Sequence, residues 1–286
     1  MEKMCHKSHL LDEQLFLPKR TTIASFPGGK SDKKKHLPLY LSIPKHIEYF
    51  VEPFAGLANV FIALSPRISR VWLNDKDPEI FSLLSCMQDS TLLQQLIESI
   101  KSLEPVTRDD YYHWKQFNPS KTLDRAIRRL VILNCSPNGA GGGYSHEKAH
   151  RKWYQNKPKM WSKIHQIFEN KKVRITNFDY EKVLASLSPD DDLIDYFLYL
   201  DPPYYDVAQK GSLYGKNYNQ IDINKLKDLL TSLPIHWLLS NRDTSVIRKI
   251  FRQFSTLGYN TYNDMNNTQK GNPELLISNN PLFEER

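Results

Sequence analysis

Cysteine is nearly missing from this chain of 286 residues: only Cys5, Cys86 and Cys135 occur. An odd number without zinc-type spacing excludes a disulfide framework and a thiolate metal knuckle, and leaves free buried thiols in a reducing compartment. Long apolar runs are missing as well. No stretch approaches the roughly 18 apolar residues of a membrane span, and residues 1–20 lack the unbroken apolar core of a signal peptide. The expected location is therefore cytoplasmic, with residues 1–20 as a polar leader. No internal repeat or low-complexity tract divides the chain, whose length fits one large domain or one domain with an insertion. Negative charge is in deficit, 32 Asp and Glu against 39 Lys and Arg, and the formal charge of +7 favours polyanionic partners.

What is present is organised around residues 197–205, FLYLDPPYY. A short apolar and aromatic run closed by Pro-Pro reads as a buried parallel strand, because proline neither donates to a ladder nor continues it. Its C-terminal end offers two acceptors, the Asp201 carboxylate and the Pro202 carbonyl. Pro202 and Pro203 stiffen the backbone that carries them. Two fixed acceptors suit one amino group with two hydrogens, and the flat face of Tyr204 suits the planar ring bearing it. The ligand so implied is an aminated base, adenine or cytosine, whose nitrogen still needs an electrophile. On this string alone, a plain strand-to-turn reading stays open.

Upstream, ASFPGGKS at 24–31 falls one glycine short of a phosphate-binding loop, since Ala24 stands at the first position. Residues 46–66 then read as strand, tight loop and helix, with the loop at Glu52, Pro53, Phe54, Ala55 and Gly56. Such a loop at a helix N-terminus is where α/β folds hold nucleotides and related cofactors, although the single glycine fails the dinucleotide fingerprint. Residues 70–84 repeat the pattern. Asp75 at that strand's tip is placed to accept from ribose hydroxyls, with capping of the next helix by Asp75 or Asp77 as the alternative.

Residues 86–172 break the alternation with helical patterns and a glycine-rich loop at 135–145. Between 121 and 174 there are thirteen Lys or Arg against Asp124, Glu147 and Glu169, with Tyr144, Trp153, Tyr154 and Trp161 interleaved. Clustered cations, aromatics and flexible glycines suit phosphate contacts and unstacked bases. Arg125, Arg128, Asn138, Tyr144, Arg151, Lys152 and Lys157 are the candidate nucleic-acid contacts. The alternative is a solvated basic face over core aromatics. His146, His150 and His165 lack the spacing of metal ligands and read as surface or phosphate-facing residues. The α/β pattern resumes at 173–179, and the last two strands form a closing hairpin. The fold class is thus α/β, a doubly wound, mostly parallel sheet with an antiparallel edge.

Together these motifs resemble the Dam-like, alpha-class DNA adenine N6-methyltransferases. FPGGK at 26–30, VEPFAG at 51–56, LND at 73–75, NFD at 177–179, DPPYY at 201–205 and LLSNRD at 238–243 stand in that family's order. The resemblance implies the seven-stranded S-adenosylmethionine-dependent methyltransferase fold, a catalytic domain of residues 21–85 and 173–286, and a mainly helical DNA target-recognition insertion at 86–172. It implies S-adenosylmethionine as the electrophile, S-adenosylhomocysteine as product and no metal. The cofactor would be lined by Phe26, Gly28, Gly29, Lys30, Glu52, Pro53, Phe54, Ala55, Gly56, Asn59, Asp75, Phe178, Asp179 and Asp201. Catalysis would fall to Asp201, Pro202, Pro203 and Tyr204, acting on an adenine flipped out of double-stranded DNA.

The chain departs from the family where Leu57, Ala58 and Asn59 follow Gly56 in place of further glycines, and where Pro27 replaces an alanine. The family further implies a monomer and nucleoid association through DNA; a cognate restriction endonuclease is one partner it allows, with viral and free-standing regulatory roles left open. The rival activities are N4-cytosine methylation, disfavoured by Asp201 where serine is usual, and RNA N6-adenine methylation. A binding module that has lost activity is the rival of another class, disfavoured by the intact amine acceptors.

Overall fold

The computed structural model describes residues 21–24, 29–32, 35–45, 47–139, 141–151, 154–187, 196–204, 221–261 and 272–282. The leader, Phe26, Gly28, Lys152 and Trp153 lie outside these residues, as do the segments 205–220 and 262–271.

Seven strands form one sheet: β1 (Ile47–Glu52), β2 (Ile68–Asn74), β3 (Lys172–Thr176), β4 (Tyr196–Leu200), β5 (His236–Arg242), β6 (Ser255–Thr261) and β7 (Asn272–Ser278). Their order is β3-β2-β1-β4-β5-β7-β6. β1 to β5 run parallel, and β7 is antiparallel to both β5 and β6. The β6–β7 hairpin supplies the antiparallel edge that the sequence suggested, with β7 against β5 and β6 outermost. Burial accounts for which of the two is outermost. Leu275, Leu276 and Ile277 are fully buried and need cover on both faces, whereas β6 alternates between half-buried and exposed positions, with only Thr261 buried, and tolerates an edge.

Alternation along the strands splits the apolar side chains between two faces. Phe50, Val71, Leu73, Phe197, Tyr199, Leu238 and Leu276 share a core with α1 (Leu37–Ser42), α2 (Asn59–Leu64) and the helices of the insertion. Between β2 and β3 these are α3 (Pro78–Gln88), which precedes residues 86–172 for most of its length, and α4 (Ser90–Ser102), α5 (Arg108–Gln116), α6 (Thr122–Cys135), α7 (His146–Ala149) and α8 (Lys157–Glu169). Val51, Trp72, Leu198, Leu200, Trp237, Leu239 and Leu275 face α9 (Tyr180–Ala185), α10 (Ile223–Ser232) and α11 (Ser245–Ile250). Residues 86–172 thus supply helices continuous with the core of one sheet face. Cys86 and Cys135 are buried and form no disulfide among the described residues, and burial pushes the Cys86 thiol up to about 12. Among the described residues, no helix is long and apolar enough to cross a membrane.

Candidate active site

The strand order reverses between β1 and β4, the point at which open α/β sheets hold ligands beyond the strand C-termini. Glu52 ends β1, Asp75 follows β2 and Asp201 follows β4, so the parallel register brings three carboxylates to one edge. Asn74 fastens the loops there. Fully buried, its amide donates to the Pro53 carbonyl at 2.9 Å and the Phe178 carbonyl at 3.0 Å, while its oxygen accepts from the Phe178 amide and the Thr176 hydroxyl, both at 2.8 Å. One side chain thereby ties the turn after β1 to the turn after β3.

The turn between β1 and α2 is tight: Gly56 has φ 49° and Ala58 φ 52°. For Ala58 this left-handed conformation costs roughly 1–2 kcal/mol, a strain that the family's glycine would avoid. The Gly56 amide donates to Asp75 Oδ2 at 2.9 Å, and the Asp77 amide to Oδ1 at 2.9 Å. Burial nevertheless pushes the Asp75 carboxyl up to about 6. Asp77, rather than Asp75, caps α3, accepting from the Glu79 amide.

Glu52 is buried, and its Oε2 has no hydrogen-bond partner among the described residues; the same holds for Asn59 Oδ1. Burial first, then the Asp201 and Asp75 carboxylates, raise the Glu52 pKa well above the usual range. Unpartnered buried acceptors at a strand-loop-helix turn call for a ligand bearing donors or positive charge. A cofactor with a sulfonium, an amino group and ribose hydroxyls fits that donor deficit.

At β4, the Asp201 carboxylate is one-fifth exposed and lies 3.6 Å from the ammonium of the buried Lys30. Burial pushes Asp201 up to about 6; Lys30 opposes the shift and Glu274 adds to it. Lys30 also donates to the Tyr204 hydroxyl at 2.6 Å and approaches Glu274 Oε2 at 3.4 Å. The Tyr204 hydroxyl in turn donates to that same Glu274 oxygen. Below these groups in the chain order of β4 and β5, the buried Tyr199 and Ser240 hydroxyls bond at 3.0 Å. The Lys30 carbonyl accepts from Tyr40 of α1 at 2.8 Å, which fixes the backbone carrying Gly29 and Lys30.

The remaining anticipated residues are dispersed. Pro53, Phe54 and Ala55 line the turn, with the Phe54 ring 5.3 Å from Tyr180. Asp179 caps α9, and its carboxylate accepts from Lys76 at 2.6 Å. Burial raises its pKa, but these bonds outweigh burial and hold it below the usual range. The Phe178 ring carries the Lys182 ammonium at 3.8 Å. Arg125 donates to the Pro119 carbonyl, and Arg128 to the Trp114 and Lys115 carbonyls and to Glu79. Tyr144 donates to the Val106 carbonyl.

Lys157 lies 3.4 Å from the Thr22 carbonyl, its pKa pushed down to about 8 by burial. Arg151 is exposed and paired with Glu147 one turn away. Asn138 lies in a short turn, its side chain outside the described set, and Lys152 lies outside it altogether. Tyr154 and Trp161, read in the sequence as interleaved aromatics, are core residues. His165, expected at the surface, is mostly buried with Nδ1 2.9 Å from the Met87 carbonyl, because α8 packs on α3.

Glu274 and Asn74 escaped sequence reasoning. A lone acid opening an apolar strand, PELLIS, was the signal for the first; the second had none beyond its place before Asp75.

Two solved structures align with most of this chain at low similarity. The rRNA methyltransferase AviRa from Streptomyces viridochromogenes is 12% identical, covering 93% of this chain and 91% of that one, with a TM-score of 0.43. The precorrin 8w decarboxylase from Methanobacterium thermoautotrophicum is 13% identical, covering 92% and 98%, with a TM-score of 0.42. The Type II methyltransferase M.CviBI of Paramecium bursaria Chlorella virus NC1A is 23% identical over 187 residues, 64% of this chain and 68% of that protein. The family model described as D12 class N6 adenine-specific DNA methyltransferase matches residues 26–265, most of the chain and every strand from β1 to β6. The chain belongs to the D12 class N6 adenine-specific DNA methyltransferases.

Proposed function

We propose that the edge formed by Glu52, Asp75, Asp201 and Tyr204 holds S-adenosylmethionine beside an adenine swung out of double-stranded DNA. The observation that carries this reading is the placement of Asp201 at the switch point, 3.6 Å from buried Lys30. When bound, the cofactor supplies a methyl group on positively charged sulfur. Glu52 and Asn59 would accept from its donors, Asp75 from its ribose hydroxyls, and Phe178 would flank its adenine end. The Asp201 carboxylate and the Pro202 carbonyl accept the two hydrogens of the target amine, drawing electron density onto its nitrogen. Pro203 keeps that acceptor pair rigid. Tyr204 presents its ring to the flipped base while its hydroxyl stays tied to Lys30 and Glu274. Arg151 and Lys152 would contact DNA phosphates, and Asn138 and Tyr144, within residues 135–145, would contact DNA as well.

S-adenosylhomocysteine is the expected product, with no metal taking part. The Type II name of the viral relative supports a cognate restriction endonuclease as partner. A monomer acting in the cytoplasm, on the nucleoid, fits the same reading. The test is transfer of tritiated methyl from S-adenosylmethionine to genomic DNA lacking adenine methylation, followed by nucleoside analysis. Label in N6-methyladenine is expected with the wild type and lost in Asp201→Ala, with DNA binding retained. Label in N4-methylcytosine, or transfer by Asp201→Ala, defeats the assignment.

A further inference from the structure

We infer that Glu274, on β7, is a positioning residue for methyl transfer, holding Lys30 and Tyr204 together and dividing the Lys30 charge between itself and Asp201. The inference rests on Asp201 being the acceptor for the target amine. Glu274 Oε2 lies 3.4 Å from Lys30 Nζ and accepts from the Tyr204 hydroxyl, which itself accepts from Lys30 at 2.6 Å. These three groups close a triangle, and Asp201 stands 3.6 Å from its ammonium corner. One buried cation thus serves two carboxylates. Neither receives a full counter-charge, and removing one anion concentrates the cation on the other.

The surroundings leave Glu274 and Lys30 as the charges that act on Asp201. From β4, β6 and the segment after β4, Tyr199, Tyr259 and Tyr204 face the site. Burial foremost holds all three phenols above their ordinary range and therefore neutral. From β1, Glu52 is held toward its neutral acid by burial and by Asp201 and Asp75. A carboxylate at this point is costly for a strand that otherwise reads Leu275-Leu276-Ile277, because an apolar side chain would pack there without desolvating a charge. Stability does not call for an acid here, whereas control of Asp201 does.

The test compares full-length wild type, Glu274→Gln and Glu274→Asp. It measures the pH profile of kcat/KM for DNA methylation and calorimetric binding of S-adenosylhomocysteine. Glutamine is isosteric, so folding is retained. In Glu274→Gln the acid limb is expected to move down by roughly one pH unit, as for a carboxylate left alone with its cation. Its kcat should fall about tenfold, the scale of a mispositioned acceptor, with S-adenosylhomocysteine affinity within about twofold of wild type. Glu274→Asp, which keeps the charge, should hold the limb near the wild-type position. An unmoved limb in Glu274→Gln, or equal displacement in both variants, overturns the inference. A wild-type protein that methylates no adenine would instead sink the functional reading beneath it.

Discussion

Arg129, in the middle of α6, lies 3.1 Å from the Asp77 carboxylate, and the Asp77 amide donates to Asp75 at 2.9 Å. Arg128 beside it grips Glu79 and the Trp114 and Lys115 carbonyls. Adjacent arginines of α6 therefore fasten α5 and α6 to Asp77 and Glu79 at the start of α3, next to Asp75.

Replacing Arg129 with Gln should loosen that attachment. Hydrogen bonds to charged groups contribute about 1.5–3 kcal/mol, so S-adenosylhomocysteine affinity is expected to fall at least about fivefold in calorimetry. Unchanged affinity would show that S-adenosylhomocysteine binding is independent of the Arg129–Asp77 contact.

The raised Asp201 carboxyl predicts both an activity and a stability trend. Its folded pKa, about 6, stands above the ordinary 3.8, so the proton is bound more tightly in the folded state. Methylation should decline as pH falls through about 6, where the acceptor is lost. Stability runs the other way, greatest below 3.8 and diminished as pH rises through about 6. At about 1.4 kcal/mol per pH unit the ceiling is ~3 kcal/mol. Asp201→Asn should therefore be inactive yet melt higher than wild type at pH 7.5; a lower melting temperature contradicts the sign.

Asn74→Ala removes four hydrogen bonds in a fully buried position and strands the Pro53 and Phe178 backbone groups. Each unsatisfied buried group costs roughly 1–3 kcal/mol. Urea denaturation should show a loss of at least about 3 kcal/mol. A loss under 1 kcal/mol would mean that water or a shifted loop replaces the amide.

Two lysine and arginine changes separate surface charge from buried charge. Neutralising Arg151 and Lys152 together should weaken DNA binding and flatten the salt dependence by about two in log–log slope, near 0.9 for each phosphate contact. Lys157→Met should leave the slope unchanged, since that ammonium is turned to the Thr22 carbonyl. A reversed pattern in filter binding across a salt series would exchange their roles.

The parallel strands and the order of motifs were legible because apolar runs ending in Glu52, Asp75 and Asp201 announce buried strands with polar tips. The position of β7 was not, since a hairpin pattern carries no sign of which strand faces the sheet. Partners of the insertion's cations were equally hidden. Arg128 and Arg151 look alike in sequence, yet one meets Glu79 across 49 residues while the other stays at the surface. Buried polar fasteners such as Asn74 need three-dimensional neighbours to be recognised.

Lys30 and Glu274, separated by 244 positions, meet on one phenol. During synthesis, then, the sheet can assemble strand by strand from β1 to β5 while this pair is still missing its second half. β6 pairs only with β7 among the described strands, so the strand bearing Glu274 is also the one that joins β6 to the sheet. Completion of this cluster is thus a late event in the life of each molecule, and a product broken off before β7 would have the turn after β1 without the Glu274 that ties Lys30 to Tyr204.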